Sequence, residues 1–411
     1  MIQHRLVVIG SRDENVSLIR MAKERGYYVI VCDGYDKKDV EQIADKTYDI
    51  DVRDVDKIAN MCIAEKADGI IGSFSDVVFE QITCIAEKAG LKWYATPEML
   101  DYYRDKFKQK ELLSNLGISV PKYAIINKKQ YTGKQIDLLF PIVVKPVNGW
   151  GSRNIAVLNS LEELDTYMQD VKDDIIYEVE EYCEAYEYNC ISWVLDGKVN
   201  ILGISDRERN PQKGNKVATL NRIVYPSKNY DKVKEKAHAT LQKFIEKTGQ
   251  KQGPISMQFF FKEGEICVCE IAGRVLGHEH DLISYCGGVD VKELLLDYVY
   301  PESSKSIYKI AEIGENHIAA GIYFLCKENA VMSDISKVVP LFEKCNVRDY
   351  EIFGEKGCKY TSKYPYFAKC YFDGDTRQSI DAITKTLYES IYVGNEKGEN
   401  IIIPFFIENG R

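Results

Sequence analysis

The segment FPIVVKPVNGWGSRNI carries an apolar, strand-like run that ends on Lys145 and then a short loop of unusual composition. A plain hairpin needs only a two-residue turn such as Asn-Gly. Here the chain adds Gly149, Trp150, Gly151, Ser152 and Arg153. Pro146 removes one amide donor and fixes the exit of the chain. Glycines at 149 and 151 open backbone conformations closed to other residues. An ammonium leaving a half-buried strand, beside backbone N–H groups and a hydroxyl, can hold a polyphosphate. The same loop also reads as a plain structural connection.

Further along, YEVEEYCEAYEYN places Glu180 and Glu187 on either side of Tyr182-Cys183, where one strand gives way to the next. Consecutive backbone groups at such a crossover can read an adenine edge, and a carboxylate seven residues after Glu180 can accept ribose hydroxyl protons. Each glutamate alone also fits a solvated strand face. The hairpin SMQFFFKEGEICVCEIAGR is the most specific feature. A loop of Glu263-Gly264-Glu265 pairs Lys262 with Ile266 and sets Gln258 directly opposite Glu270, on one face. That oxygen pair suits Mg²⁺, which takes one or two carboxylates plus substrate phosphates. Arg274 follows, a planar donor fork for an anion or for charge on a transferring phosphoryl group.

A polar stretch, residues 205–227, reads as an irregular basic flap with Arg207, Arg209, Lys213, Lys216 and Arg222 against Asp206 and Glu208. It either binds a substrate carboxylate or phosphate or is a solvated loop. His278 and His280, in GHEH, line a pocket, play a structural part or ligate metal.

These groups need elements to position them. Residues 5–90 alternate apolar strands with helices of 3.6-residue period, which implies a parallel sheet with helices on its faces. Ligands of such sheets lie beyond the carboxyl ends of the strands, making Gly10, Ser11, Gly72 and Ser73 candidates there; simple βα turns explain them equally well. The dinucleotide fingerprint is absent, since IGSRDEN is not GxGxxG. After Pro97 one helix runs to Gly117. Strands of antiparallel style follow, interrupted by a helix with Ser160 as N-cap and Glu163 in a capping box. A long amphipathic helix spans 228–248, and a last α+β region runs from 311. The fold class is therefore α/β joined to α+β.

A net charge of −9 argues against a general nucleic-acid surface, though not against a local basic pocket. No apolar run approaches a membrane span. The twelve cysteines are scattered without CxxC pairs, which points to reduced thiols and a cytoplasmic setting and speaks against zinc. Cys267 and Cys269 are expected on one strand face.

Taken in order, Lys106, Lys145 with its glycine loop, Glu180, Glu187, Gln258, Glu270 and Arg274 resemble the ATP-grasp superfamily. Within it, the chain resembles the carboxylate–amine ligases near carbamoyl-phosphate synthase large chains, phosphoribosylglycinamide synthetases and amino-acid ligases. The segments RDK, LGISVPKY and GLKWYATPE support the resemblance over about residues 1–310. It implies a Rossmann-like domain at 1–105, a small lobe at 106–180, a large lobe with the metal site at 181–310 and a C-terminal region at 311–411. It also implies ATP with Mg²⁺, or Mn²⁺ in its place. Lys106 and Lys145 would hold phosphates, and 149–153 would form a mobile lid. Glu180, Glu181 and Cys183 would hold adenine, and Glu187 ribose. Glu270 and Gln258 would ligate metal, and Arg274 with Lys145 would serve catalysis. Arg207, Arg222, Arg274 and His278, with the N-terminal candidates, would meet a small-molecule carboxylate and an amine. Two departures are visible: Gln258 stands where Glu is common, and Ala272 where Asn is usual. The implied reaction is ADP-forming carboxylate–amine ligation. A phosphotransferase on the same fold and a non-catalytic nucleotide sensor are the alternatives. No nucleic-acid or membrane partner is expected; a homodimer is an open assembly.

Overall fold

The computed structural model describes residues 3–11, 13–35, 38–72, 74–131, 136–147, 155–171, 175–210, 219–277, 279–303, 317–361 and 364–407. Three sheets organise it. The first is parallel, formed by β1 (Arg5–Ile9), β2 (Tyr28–Cys32), β3 (Lys46–Tyr48) and β4 (Gly69–Ile71) in the order β3-β2-β1-β4. Helices α1 (Asp13–Glu24), α2 (Lys38–Glu41), α3 (Val55–Ala64) and α4 (Asp76–Ala89) connect and follow these strands. The strand residues Leu6, Val7, Val8 and Ile9 are all fully buried, the signature of a parallel sheet covered on both faces.

The expected single helix after Pro97 is two helices, α5 (Pro97–Arg104) and α6 (Lys106–Asn115). The break falls at Asp105, which is extended (φ −91°, ψ 104°) and whose carboxylate accepts the amides of Phe107 and Lys108. A short acidic side chain that caps locally competes with the helix it sits in. The consequence is that Lys106 opens a helix rather than lying in the middle of one.

The second sheet is antiparallel: β5 (Tyr123–Asn127), β6 (Ile142–Pro146), β7 (Ala156–Leu158) and β8 (Ile176–Glu181), in the order β5-β8-β6-β7. Helix α7 (Leu161–Asp170) packs on it. Only half of the expected capping box forms: Ser160 accepts the Glu163 amide (3.2 Å), while the Glu163 carboxylate accepts the amide of Asn159 rather than that of Ser160.

The third sheet has eight strands in the order β13-β12-β9-β10-β11-β14-β16-β15. Its members are β9 (Tyr186–Leu195), β10 (Lys198–Asn210), β11 (Thr219–Tyr225), β12 (Gln252–Lys262), β13 (Glu265–Ala272), β14 (Ile318–Leu325), β15 (Asp349–Ile352) and β16 (Tyr366–Gly374). Strands from beyond residue 311 thus extend the sheet that carries Gln258 and Glu270. Helix α8 (Tyr230–Thr248) buries Val233, Ala237, Leu241 and Phe244 against it. The remaining helices are α9 (Glu279–Tyr285), α10 (Val291–Val299), α11 (Val338–Lys344) and α12 (Arg377–Ser390).

Most of the described part of the expected irregular flap is β-ladder. Residues 205–210 continue β10, and β11 pairs with it antiparallel, Asp206 facing Val224 and Glu208 facing Arg222. Alternation along these strands gives the basic residues separate destinations.

Candidate active site

A cleft with a cavity of about 900 Å³ is lined from both antiparallel sheets and from α4 to α6. Its lining includes Lys106, Lys145, Glu180, Glu181, Cys183, Glu187, Gln258, Glu270, Arg207 and Arg274. Residues 182–185 cross from β8 of the small sheet to β9 of the large one, so Glu180 and Glu187 stand on opposite sides of that crossover.

Lys145, on β6, is buried and its Nζ lies 2.7 Å from Glu180 Oε1 and 3.6 Å from Glu178 Oε1. Lys110, one helical turn beyond Lys106 on α6, contacts both glutamates as well. Burial pushes Lys145 toward the neutral amine; Glu180 and Glu178 outweigh it and raise its pKa. Burial likewise opposes charge on Glu180, and Lys145 and Lys110 overcome it, holding the carboxylate well below its usual range. The pairing with the two glutamates keeps the Lys145 ammonium charged at the wall of the cavity, while Lys110 and Glu178 stand outside the lining.

Glu187, on β9, accepts Arg207 Nε (2.7 Å), Arg209 Nη2 (2.7 Å) and Gln258 Nε2 (2.6 Å). Burial works against its charge; Arg209 and Arg207 more than compensate and lower its pKa. Arg207 also reaches Glu279 (2.6 Å), a buried carboxylate on α9 that accepts both from Asn189 (2.7 and 2.6 Å) and from Ser205 (3.2 Å).

Gln258 and Glu270 are opposed, as expected, but by another route. The turn is the two-residue Glu263-Gly264, so Lys262 pairs with Glu265, not Ile266. A bulge at Cys269 then shifts the register by one and restores the Gln258–Glu270 pairing. Cys269 and Glu270 both line the cavity, whereas Cys267 does not. Gln258 spends its amide N–H on Glu187, which leaves its side-chain oxygen for a cation beside the Glu270 carboxylate. The oxygen set of these two residues fits Mg²⁺, which keeps water and substrate phosphate oxygens in its remaining positions.

Arg274 reaches the cleft from the end of β13 and is paired with Asp76 of α4. Three expectations move. Arg222 is not a cavity residue: it is 1% exposed and bound to Glu208 (2.7 Å) and Asp381 (2.7 Å), tying β11 to α12. Gly10 and Ser11 cap the parallel sheet instead of lining this cavity, Ser11 donating to Asp33 (2.7 Å). Gly72 packs against Ile9 O, where a Cβ would lie at 2.6 Å. Gly149, Trp150, Gly151, Ser152, Arg153, Ser73, Lys213, Lys216 and His278 lie outside the described residues. His280 is buried, stacked on Phe74 at 5.2 Å, and not part of the lining.

Asp76, Lys110, Glu178, Asn189 and Glu279 were not expected. Lys110 and Glu178 had a readable signal: one lies four residues from Lys106 on a helix, the other two residues from Glu180 on a strand. Asp76 and Glu279 had none, because their partners lie in remote segments. Two phenylalanines, Phe405 and Phe406, also line the cavity from the C-terminal segment. All twelve cysteines are free thiols, and no helix among the described residues is long and apolar enough to cross a membrane.

Known proteins share part of this sequence and the overall fold. An ATP-grasp domain profile matches residues 103–278. The carbamoyl phosphate synthase large chain of Clostridium beijerinckii is 29% identical over 263 residues, 61% of this chain but 24% of that protein. The chain therefore spans about a quarter of that relative's length. The L-amino acid ligase from Bacillus licheniformis superposes with a TM-score of 0.81 at 16% identity, covering 96% of this chain and 99% of the other. The biotin carboxylase domain of the 2-oxoglutarate carboxylase from Hydrogenobacter thermophilus, solved with MgADP and bicarbonate, superposes with a TM-score of 0.69 at 16% identity over 96% and 92% of the two chains. Within this chain, residues 103–278 are thus similar to an ATP-grasp domain.

Proposed function

We propose that the protein is an ADP-forming ligase that activates a small-molecule carboxylate with ATP and joins it to an amine. The observation that carries this is the convergence of Lys106, Lys145, Glu187, Gln258 and Glu270 on one cavity between two antiparallel sheets, inside an ATP-grasp domain. Lys106 at the start of α6 and the charged Lys145 supply cations for the phosphates. The backbone of 181–183 holds the base at the crossover, with Glu180 fixing Lys145 beneath it. Glu187 takes the ribose hydroxyls. Glu270 and the Gln258 oxygen would hold Mg²⁺, which would supply charge neutralisation at the phosphates.

In this reading the substrate carboxylate oxygen attacks the γ-phosphorus, the bond to ADP breaks, and an acylphosphate forms. The amine nitrogen then attacks the acyl carbon, loses a proton, and inorganic phosphate leaves. Positioning and charge compensation do most of the work, because the protein contributes no covalent step. Arg274 steadies the anionic acyl or phosphoryl group.

The test is ADP release from MgATP with single amino acids, then with acid–amine pairs. A ligase gives ADP and phosphate in step with coupled product only when both partners are present. Accumulation of a stable phosphorylated acceptor would assign a phosphotransferase instead. MgATP binding without turnover across the panel would reduce the protein to a nucleotide sensor.

A further inference from the structure

Arg274 offers more than a loose positive charge, because its bonds are already allotted. A guanidinium has five N–H groups in a rigid plane. Nε and the adjacent Nη2 donate to the two oxygens of Asp76, at 2.6 and 2.8 Å. Nη1 donates to the Val275 carbonyl at 3.0 Å. One N–H then remains on each terminal nitrogen, and such a pair grips two oxygens of a single anion. The Arg274 carbonyl is pinned too, accepting from Ser256 Oγ at 2.8 Å.

The seat for this arrangement is built into the packing of the parallel-sheet layer. Asp76 stands in the first turn of α4, whose N-cap Ser75 accepts the Val78 amide at 3.2 Å. Gly273, just before Arg274, presses against the same helix: a Cβ there would lie 2.7 Å from the Phe79 ring and 3.2 Å from Tyr103. Only a residue without a side chain lets the end of β13 come close enough for Arg274 to meet Asp76. Arg104, held by Glu80 at 3.0 Å, stands 4.0 Å from the Asp76 carboxylate. Asp76, Arg104, Lys106, Glu270 and Arg274 all line the cavity.

We propose that Asp76 is a positioning residue: it locks the Arg274 guanidinium so that one two-pronged fork faces a tetrahedral or planar oxyanion at the reaction end of the cleft. This rests on the ligase reading only for the identity of that anion, the acyl carboxylate or the phosphoryl group. The pair also makes the docking of α4 against β13 a condition for a complete site.

Electrostatics and positioning predict opposite signs. Asp76 brings a negative charge beside an anion site, so charge alone says that removing it tightens anion binding. Loss of positioning says that binding weakens, because the fork must then be ordered at the moment of binding. Inorganic phosphate, the expected leaving product, is the probe. It is titrated calorimetrically into wild type, Asp76→Asn, Asp76→Ala and Arg274→Gln, alone and with MgADP present, after melting curves show that each variant folds.

Asp76→Asn and Asp76→Ala are expected to weaken phosphate about tenfold, the scale of one charge-assisted hydrogen bond. MgADP affinity should stay at the wild-type value, and Arg274→Gln should bind no phosphate. Phosphate binding by Asp76→Asn as tight as wild type, or tighter, overturns the proposal, as does a wild type that binds none. Failure of MgADP to bind while the phosphate ranking holds would defeat the ligase reading and leave the positioning role standing.

Discussion

Removing Lys110 should damage the protein out of proportion to one side chain. Its Nζ serves Glu178 and Glu180, and both carboxylates have side chains less than a tenth exposed (1% and 9%). With Lys110 gone, Lys145 is left between Glu180 at 2.7 Å and Glu178 at 3.6 Å, and one buried negative charge has no balance. At an effective dielectric constant near 20, a unit pair at that longer distance interacts by about 5 kcal/mol. Breaking such a buried pair costs about 3–5 kcal/mol once the stranded charge is counted. Lys110→Met should therefore destabilise by about that amount in urea unfolding followed by circular dichroism. Lys110→Met combined with Glu178→Gln removes one charge of each sign and keeps the Lys145–Glu180 pair. It should recover most of the loss, with a coupling of about 2 kcal/mol or more across the cycle. A single variant costing less than about 1 kcal/mol, or a double variant equal to the sum of its parts, would refute the idea that these four charges act as one unit.

Glu270→Ala should cut ADP release at least about a hundredfold while leaving the melting temperature near wild type, checked by a coupled ADP assay and calorimetry. Lys145→Met should weaken MgATP binding measured by titration calorimetry, by about tenfold or more, since it removes a buried cation from the phosphate wall. Acid should expose His280: burial depresses its pKa below the ordinary 6.5, Asp281 partly offsetting it. The unfolded chain then takes up a proton that the folded chain refuses, so this group's contribution to stability is present above about pH 7 and is lost as pH falls through 6.5 and below. His280→Gln should flatten the fall in stability between pH 7 and 5 relative to wild type; an unchanged slope would remove His280 from that role.

The parallel-sheet layer was readable because short continuous apolar runs and period-3.6 patterns alternate cleanly from residue 5 to 90. So was the ordered set of cleft residues, whose spacing survives even where local detail differs. What escaped was set by short-range competition or by long-range packing. Asp105 has the composition of a helix interior and ends a helix instead, because its carboxylate captures two amides. The Gln258–Glu270 opposition depends on a bulge at Cys269 that compensates for a shorter turn, and no local signal distinguishes that from a three-residue loop. Arg222 reads as one more flap cation, yet strand alternation turns it into the seam with α12 while Arg207 and Arg209 face the cleft. Asp76 and Glu279 meet partners 198 and 72 residues away in sequence, a distance no local pattern spans.

The most direct test is a crystal structure grown with Mg²⁺ and a non-hydrolysable ATP analogue. The phosphates are predicted to lie between Lys106 and Lys145, with the metal on Glu270 and the Gln258 oxygen and the ribose on Glu187. A nucleotide bound outside this cleft, or an empty cleft at saturating analogue, would contradict the assignment.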